Sequence, residues 1–192
     1  MLPTDFFQQP TLDLARDLLG RDFVRHLNGV VLKGRIVEVE AYHQDGDQAA
    51  HSYSGKTKRN QVMFTAPGAL YVYFIYGMHF CMNVVSEAEG VGAAVLIRAI
   101  EPLQGVDEMQ RLRGDKVRPK TLTNGPARAC QALAINRDQD GASLLGPELY
   151  LEVGEPPGPS QIVTGPRIGI TKSVDLPWRF CIKGHPYLSK PC

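Results

Sequence analysis

Asp22-Phe23-Val24-Arg25-His26-Leu27-Asn28-Gly29-Val30-Val31-Leu32-Lys33-Gly34-Arg35-Ile36-Val37-Glu38-Val39-Glu40-Ala41-Tyr42 reads as two strands folded back on one another. Asn-Gly between two β-rich runs is a strong two-residue hairpin turn, because both turn positions need positive φ. The first strand is expected over Asp22–Leu27 and the returning strand from Val30 to about Tyr42. A second hairpin follows, with an aromatic strand over Ala69–Tyr76, a reversal at Gly77-Met78 and a paired strand over His79–Val85. Gly92–Ile100 reads as an apolar strand, and Leu149–Val153, Arg167–Thr171 and Arg179–Lys183 as shorter ones. Helices are expected over Leu12–Leu19, capped by Thr11 and ended by Gly20, over Val106–Leu112, and from Pro126 to about Ile135. Strands joined by short turns imply an α+β, β-rich fold. The expected architecture is a single domain over 1–192. A curved, mostly antiparallel, partly open barrel-like sheet carries peripheral helices.

Composition sets the class. Apolar residues at 43% and charged residues at 21% are ordinary for a globular protein. No apolar run reaches membrane-spanning length, so no membrane partner is expected. The start, Met1-Leu2-Pro3-Thr4-Asp5-Phe6-Phe7, lacks the basic and apolar regions of a signal peptide. Cys81, Cys130, Cys181 and Cys192 form no C-x-x-C pair, and Cys81 and Cys130 read as small core residues. The expectation is a cytoplasmic protein with no metal and no cofactor. A net charge of +1 is a weak signature for nucleic-acid binding, which a large positive excess usually announces. Two local clusters, Lys56/Lys58/Arg59 and Arg111/Arg113/Lys116/Arg118/Lys120, are either solvated faces or tracks for a phosphate backbone.

Chemistry concentrates in three places. On the long strand, alternation puts Ile36, Glu38, Glu40 and Tyr42 on one face and Val37, Val39 and Ala41 on the other. Two carboxylates beside a tyrosine form either a solvated face or a general-base site, the latter favoured by the following Ala49-Ala50-His51. Spacing does not choose between Glu38 and Glu40. Arg98 interrupts an apolar strand and needs an anionic partner, Glu101 or another carboxylate, or a role beside a catalytic glutamate. Asn83 is out of place mid-strand and calls for a backbone partner or a ligand. The aromatic run Leu70–Phe80 is a buried strand or a platform for stacking flat ligands.

The motifs Arg35-Ile36-Val37-Glu38-Val39-Glu40-Ala41-Tyr42, Ala49-Ala50-His51-Ser52, Arg59-Asn60, Met63-Phe64 and Leu70-Tyr71-Val72-Tyr73 are ordered along the chain. So are Ile75-Tyr76-Gly77-Met78, Cys81-Met82-Asn83, Arg98-Ala99-Ile100-Glu101-Pro102, Gly125-Pro126 and Cys130-Gln131-Ala132-Leu133. Together they resemble the alkyladenine, or 3-methyladenine, DNA glycosylases of base excision repair. The resemblance runs from Leu14 to about Tyr187 and is specific over that length. It is closest to the compact bacterial form without an extended N-terminal region.

The resemblance implies a role for each residue. Glu40, not Glu38, matches the catalytic glutamate, and Arg98 matches an arginine that helps hold the attacking water. Tyr42, His51 and Tyr73 match residues enclosing an extruded base. Asn83 matches an asparagine that clashes with the 2-amino group of normal guanine. The Ile168 carbonyl matches a further contact to the water. Tyr76 matches the tyrosine wedged into the duplex, with Met78, Lys56, Lys58 and Arg59 completing the DNA-facing set. Tyr71, Phe74 and Phe80 are then left to pack the core. The implied partner is double-stranded DNA containing damaged purines, bound by a monomer. A non-catalytic reader of modified bases would not need Glu40 with Arg98. A hydrolase of free nucleosides would not need Tyr76 and the basic stretches.

Overall fold

The turn at Asn28-Gly29 has φ of 49° and 82°, as the hairpin requires. It joins β1 (Asp22–Leu27) to β2 (Val30–His43), paired antiparallel from Asp22↔Arg35 to Leu27↔Val30. The computed structural model describes residues 1–75 and 77–192. Six further strands complete the sheet: β3 (Leu70–Ile75), β4 (His79–Val85), β5 (Ala93–Gln104), β6 (Leu149–Glu152), β7 (Ile162–Gly165) and β8 (Arg179–Ile182). The main path runs β3-β4-β5-β2-β1-β6, with β8 on β2 and β7 on β8, and every pairing is antiparallel. Among the described residues the sheet does not close, and three short α-helices, α1 (Thr11–Leu18), α2 (Val106–Arg113) and α3 (Pro126–Ala132), accompany it. The fold is α+β and β-rich.

The long strand β2 is the spine. One edge pairs with β5 from Lys33 to His43. The other pairs with β1 over residues 30–35 and then with β8 at Glu38, Val39 and Glu40. The two faces of the sheet separate stability from chemistry. Leu70 and Val72 of β3, Met82 and Val84 of β4, Val95 and Ile97 of β5, and Val39 and Ala41 of β2 enter the main apolar core. There they meet Leu14, Ala15 and Leu18 of α1 and Ala129, Cys130 and Ala132 of α3. The alternate residues face the other way, as strand geometry demands. Tyr71, Tyr73, Cys81, Asn83, Leu96, Arg98 and Tyr42 all line one cavity.

Several expectations are corrected. Ile36 shares the core with Val39 and Ala41, not the face of Glu38 and Glu40. The cause is a pair of register shifts: β2 gains an extra residue at Val37 between Ile36 and Glu38, and β5 gains one at Arg98 between Ala99 and Ile97. The carboxylate face is not solvated, since Glu38 and Glu40 are both fully buried. Residues 167–171 form no strand; the pairing partner of β8 is β7 instead. Helix α1 starts at Thr11 with Pro10 at its cap position, and the Thr11 hydroxyl bonds Ser86 and Glu87 rather than its own helix. Gly20 does end that helix. Its φ of 79° is left-handed, and a Cβ there would lie 2.2 Å from the Glu155 carbonyl oxygen. Phe74 does not pack the core: it is 42% exposed, its ring 5.2 Å from that of the partly buried Phe80. Tyr76 lies outside the described residues.

Candidate active site

A cavity of about 510 Å³ opens on the face of the sheet away from the main core. Its walls come from β2, β3, β4 and β5, from the 48–63 loop, from Pro126 and Ala127 at the start of α3, and from residues 168–172. Of the expected base-enclosing residues, Tyr42, His51, Tyr73 and Asn83 all meet there, together with Arg98 and Ile168.

Glu40 lies buried directly beneath. Its Oε2 accepts a hydrogen bond from the Tyr42 hydroxyl at 2.8 Å and lies 3.3 Å from Arg98 Nη1. Its Oε1 accepts from the Ile168 backbone N–H at 2.7 Å. Each of these partners donates, which is the arrangement a carboxylate requires and a carboxylic acid does not. The structure thus gives Ile168 a contact through its amide, to Glu40 itself, where the resemblance pointed to its carbonyl. Burial pushes the Tyr42 phenol upward, and the adjacent Glu40 pushes it further. Tyr42 therefore stays protonated and remains a donor.

Arg98 finds its anionic partners in both carboxylates of β2. Its Nε donates to Glu38 Oε1 at 3.1 Å while Nη1 reaches Glu40. Burial alone would lower its pKa, but Glu40 and Glu38 outweigh that and raise it. Glu101, the other candidate partner, faces His185 at 3.5 Å instead. Glu38 is a separate hub. Besides Arg98, it accepts from Arg179 Nε at 2.8 Å, Ser189 Oγ at 2.7 Å and the Ser189 N–H at 2.6 Å.

The cavity walls are aromatic. The Tyr71 and Tyr73 rings lie 5.5 Å apart, and His51 meets Tyr73 edge-on at 4.6 Å. His51 Nδ1 is 3.0 Å from the Tyr71 hydroxyl. Burial first, and then Arg59, pulls the His51 imidazole down to about 4, so it is neutral at physiological pH. Burial pushes the Tyr71 phenol to about 12 and raises Tyr73 as well. Tyr71, expected only as packing, joins a satellite apolar cluster with Met63 and Val85 and also lines the cavity. Asn83 is 4% exposed, and its Nδ2 donates to the Tyr71 carbonyl at 3.1 Å. That bond fixes which end of the amide is nitrogen.

Arg167 supports the site from behind. Its guanidinium makes a two-point ion pair with Asp47, at 2.5 and 2.7 Å, and donates to the Ala41 carbonyl at 2.9 Å. It also lies 4.6 Å from the centre of the Tyr42 ring. Both side chains of the pair are fully buried. Neither partner was identified from sequence, since an aspartate in a loop and an arginine before Ile168-Gly169 carry no local signal of pairing. Lys172, also missed, lines the cavity.

The DNA-facing set is less gathered. Met78 is 71% exposed, and Lys56, Lys58 and Arg59 are all exposed. Arg59 lies 5.9 Å from the Tyr73 ring centre, which links this cluster to the cavity wall. In the second basic stretch, Arg111 pairs with Glu108, and Arg113 bonds the Leu122 carbonyl. Among the described residues no cluster of His, Cys, Asp and Glu is arranged to hold a metal, and no helix is long and apolar enough to cross a membrane.

Comparison with known proteins shows the family. The family described as "Methylpurine-DNA glycosylase (MPG)" matches residues 5–186. A protein of Chlorobaculum tepidum is 50% identical over 190 residues, covering 98% of this chain and 90% of its own. One of Carboxydothermus hydrogenoformans is 50% identical over 191 residues, 99% of each chain. One of Methanoculleus marisnigri is 50% identical over 192 residues, 98% of each. Each carries the name "Putative 3-methyladenine DNA glycosylase". With a family match over nearly its whole length, this chain belongs to the methylpurine-DNA glycosylases and is a DNA glycosylase of base excision repair.

Proposed function

We propose that the protein extrudes alkylated or deaminated purines from duplex DNA and hydrolyses their N-glycosidic bond with a water activated by Glu40. The substrates would be 3-methyladenine, 7-methylguanine, hypoxanthine and ethenoadenine. The observation that carries this reading is Glu40 itself: a buried carboxylate, held by Tyr42, Ile168 and Arg98, beneath a cavity walled by Tyr42, Tyr73 and His51. About 510 Å³ is within the range of cavities that take a small aromatic ligand.

The glycosidic carbon cannot be reached inside the helix, so the nucleotide must leave the stack at a cost of roughly a few kcal/mol. Tyr76, by its match to the wedge residue, fills the gap and offsets part of that cost. In the cavity the base stacks between Tyr42 and Tyr73. A base alkylated on a ring nitrogen is cationic as the nucleotide, and aromatic faces favour it by about 1–2 kcal/mol once water is excluded. His51, neutral, presents a hydrogen-bonding edge to the base. Asn83 occupies the space a guanine 2-amino group would need, which selects against the normal base.

The chemistry follows from the floor. As the C1′–N bond breaks, its electron pair goes to the base, and the sugar gains oxocarbenium character. Glu40 stabilises that charge and takes the proton of the water that attacks C1′. An alkylated base leaves neutral. Hypoxanthine and ethenoadenine leave once the base has gained a proton. Water, not an amine, is the nucleophile, so the products are a free base and an intact strand with an abasic site. Lys172 then forms no imine, and borohydride would trap no protein–DNA adduct. We place this activity in the cytoplasm and in a monomer.

The deciding experiment is incubation of the protein and of Glu40→Gln with labelled duplex carrying one hypoxanthine or ethenoadenine. Wild type should release the base, and the variant should bind the duplex and release almost none. Equal release by both would remove Glu40 from the mechanism.

A further inference from the structure

Glu38 and Glu40 sit on the same face of β2, and the sequence does not distinguish them. The structure gives them different partners. Glu40 is bonded by two residues that line the cavity, Tyr42 and Ile168. Glu38 is fully buried and bonded by Arg179 and by both the hydroxyl and the N–H of Ser189. One group is common to both: Arg98, with Nε on Glu38 and Nη1 on Glu40.

We propose that Glu38 is a positioning residue for the glycosylase reaction, and that Glu38 and Ser189 together set the Arg98 guanidinium on Glu40. The inference rests on the glycosylase reading above. A guanidinium is a planar fork whose nitrogens keep a fixed relation to one another. Pinning Nε to Glu38 therefore fixes where Nη1 can lie, at 3.3 Å from Glu40 Oε2. Glu38 is itself pinned. Ser189 donates to both carboxylate oxygens, and its hydroxyl oxygen accepts from Arg98 Nη2 at 3.4 Å, so it touches the fork directly as well as through Glu38. Arg179 ties the same region by donating to the Lys190 carbonyl at 2.6 Å and the Pro191 carbonyl at 3.2 Å. The register shift of β5 centres on Arg98, so the strand ladder does not set its orientation, and side-chain partners must do so. Without Glu38 the fork is free to pair with Glu40 at two points, which would pull that carboxylate away from the water it must deprotonate.

The test is a double-mutant cycle on single-turnover base release from a hypoxanthine duplex, with lesion-duplex affinity measured in parallel. The variants are Glu38→Gln, Ser189→Ala and Arg98→Lys, alone and with Arg98→Lys combined with each of the others. Losing one charge-assisted bond should lower the rate constant about 10–100-fold in Glu38→Gln, and about 5-fold in Ser189→Ala. Duplex affinity should change less than about 2-fold in both. In the Arg98→Lys background the same substitutions should have almost no further effect, because their target is gone. Equal losses in both backgrounds, or losses carried by affinity instead of the rate constant, would overturn the proposal. If Glu38→Gln does not fold, Ser189→Ala, which deletes one hydroxyl, decides by the same rate-against-affinity split. Absence of base release by wild-type protein would overturn the glycosylase reading itself and this inference with it. Release by wild type with additive losses overturns this inference alone.

Discussion

The Tyr42 hydroxyl donates to Glu40 Oε2 at 2.8 Å, from two residues further along the same strand face. One side chain thus serves two purposes, as a wall of the cavity through its ring and a support of the carboxylate through its oxygen. Tyr42→Phe keeps the wall and removes the support. A hydrogen bond to a charged group contributes about 1.5–3 kcal/mol, so base release should slow about 10–100-fold with lesion affinity retained. Single-turnover kinetics beside a binding isotherm checks this. A loss of affinity with an unchanged rate constant would show that the hydroxyl does not act on Glu40.

The Arg167–Asp47 pair makes a prediction about stability. Both partners are buried, so Asp47→Ala leaves the Arg167 charge without its counter-ion. Breaking a buried pair from one side costs about 3–5 kcal/mol. The urea midpoint should fall by a matching amount. Because Arg167 backs the Tyr42 ring, lesion affinity of the folded variant should fall too. A variant as stable as wild type would mean that water replaces the lost carboxylate.

His51 predicts a pH dependence. Its folded-state pKa, about 4, lies below its ordinary value of 6.5. The unfolded chain therefore binds the proton more readily between those values. The contribution of His51 to stability is complete above about pH 6.5 and is lost as pH falls toward 4. His51→Gln should flatten that part of the stability–pH curve, read from urea titrations at several pH values. The imidazole should also remain neutral from pH 5 to 8 in NMR titration of its ring carbons. A midpoint near 6.5 would refute the assignment.

The exposed Lys56 and Lys58 predict a salt dependence. Each lysine that contacts a phosphate contributes roughly 0.9 to the slope of log affinity against log salt concentration. Lys56→Ala and Lys58→Ala should each reduce the slope by about that amount, with single-turnover base release at saturating protein unchanged. Identical slopes would place both lysines off the DNA path.

Much of the fold was legible where local chemistry dictates it. Asn28-Gly29 fixes the first hairpin, and strand alternation separates the two faces over most of β3 and β4. Tyr42, His51, Tyr73 and Asn83 were grouped by the family resemblance, and the structure brings all four to one cavity with Arg98 beside them. What could not be read depends on contacts far apart in sequence. The two register shifts arise from pairing between β2 and β5 some 60 residues apart. The one at Val37 explains why Ile36 departs from the face of Glu38. The Arg167 guanidinium meets Asp47 across 120 residues and Ser189 meets Glu38 across 151, separations with no local pattern. Phe74 misleads for the opposite reason: its position alternates as a core residue should, yet it is exposed near the end of β3 with the partly buried Phe80 as its ring neighbour.

The extra residue at Val37 and its counterpart at Arg98 work as two halves of a phase change. From Gly34 to Ile36 and again from Val39 to His43, β2 and β5 pair in step, and between those stretches each strand slips by one before the other catches up. Deleting Val37 would leave the hairpin, the turn and the composition of the strand intact. It would also make Ile36 and Glu38 consecutive residues opposite the consecutive partners Ile100 and Ala99, with Ile36 still toward the core and Glu38 still toward Arg98. The two halves are therefore unequal. The extra residue of β2 can be lost without turning a side chain over, whereas the extra residue of β5 is Arg98 itself, the one that bonds both carboxylates.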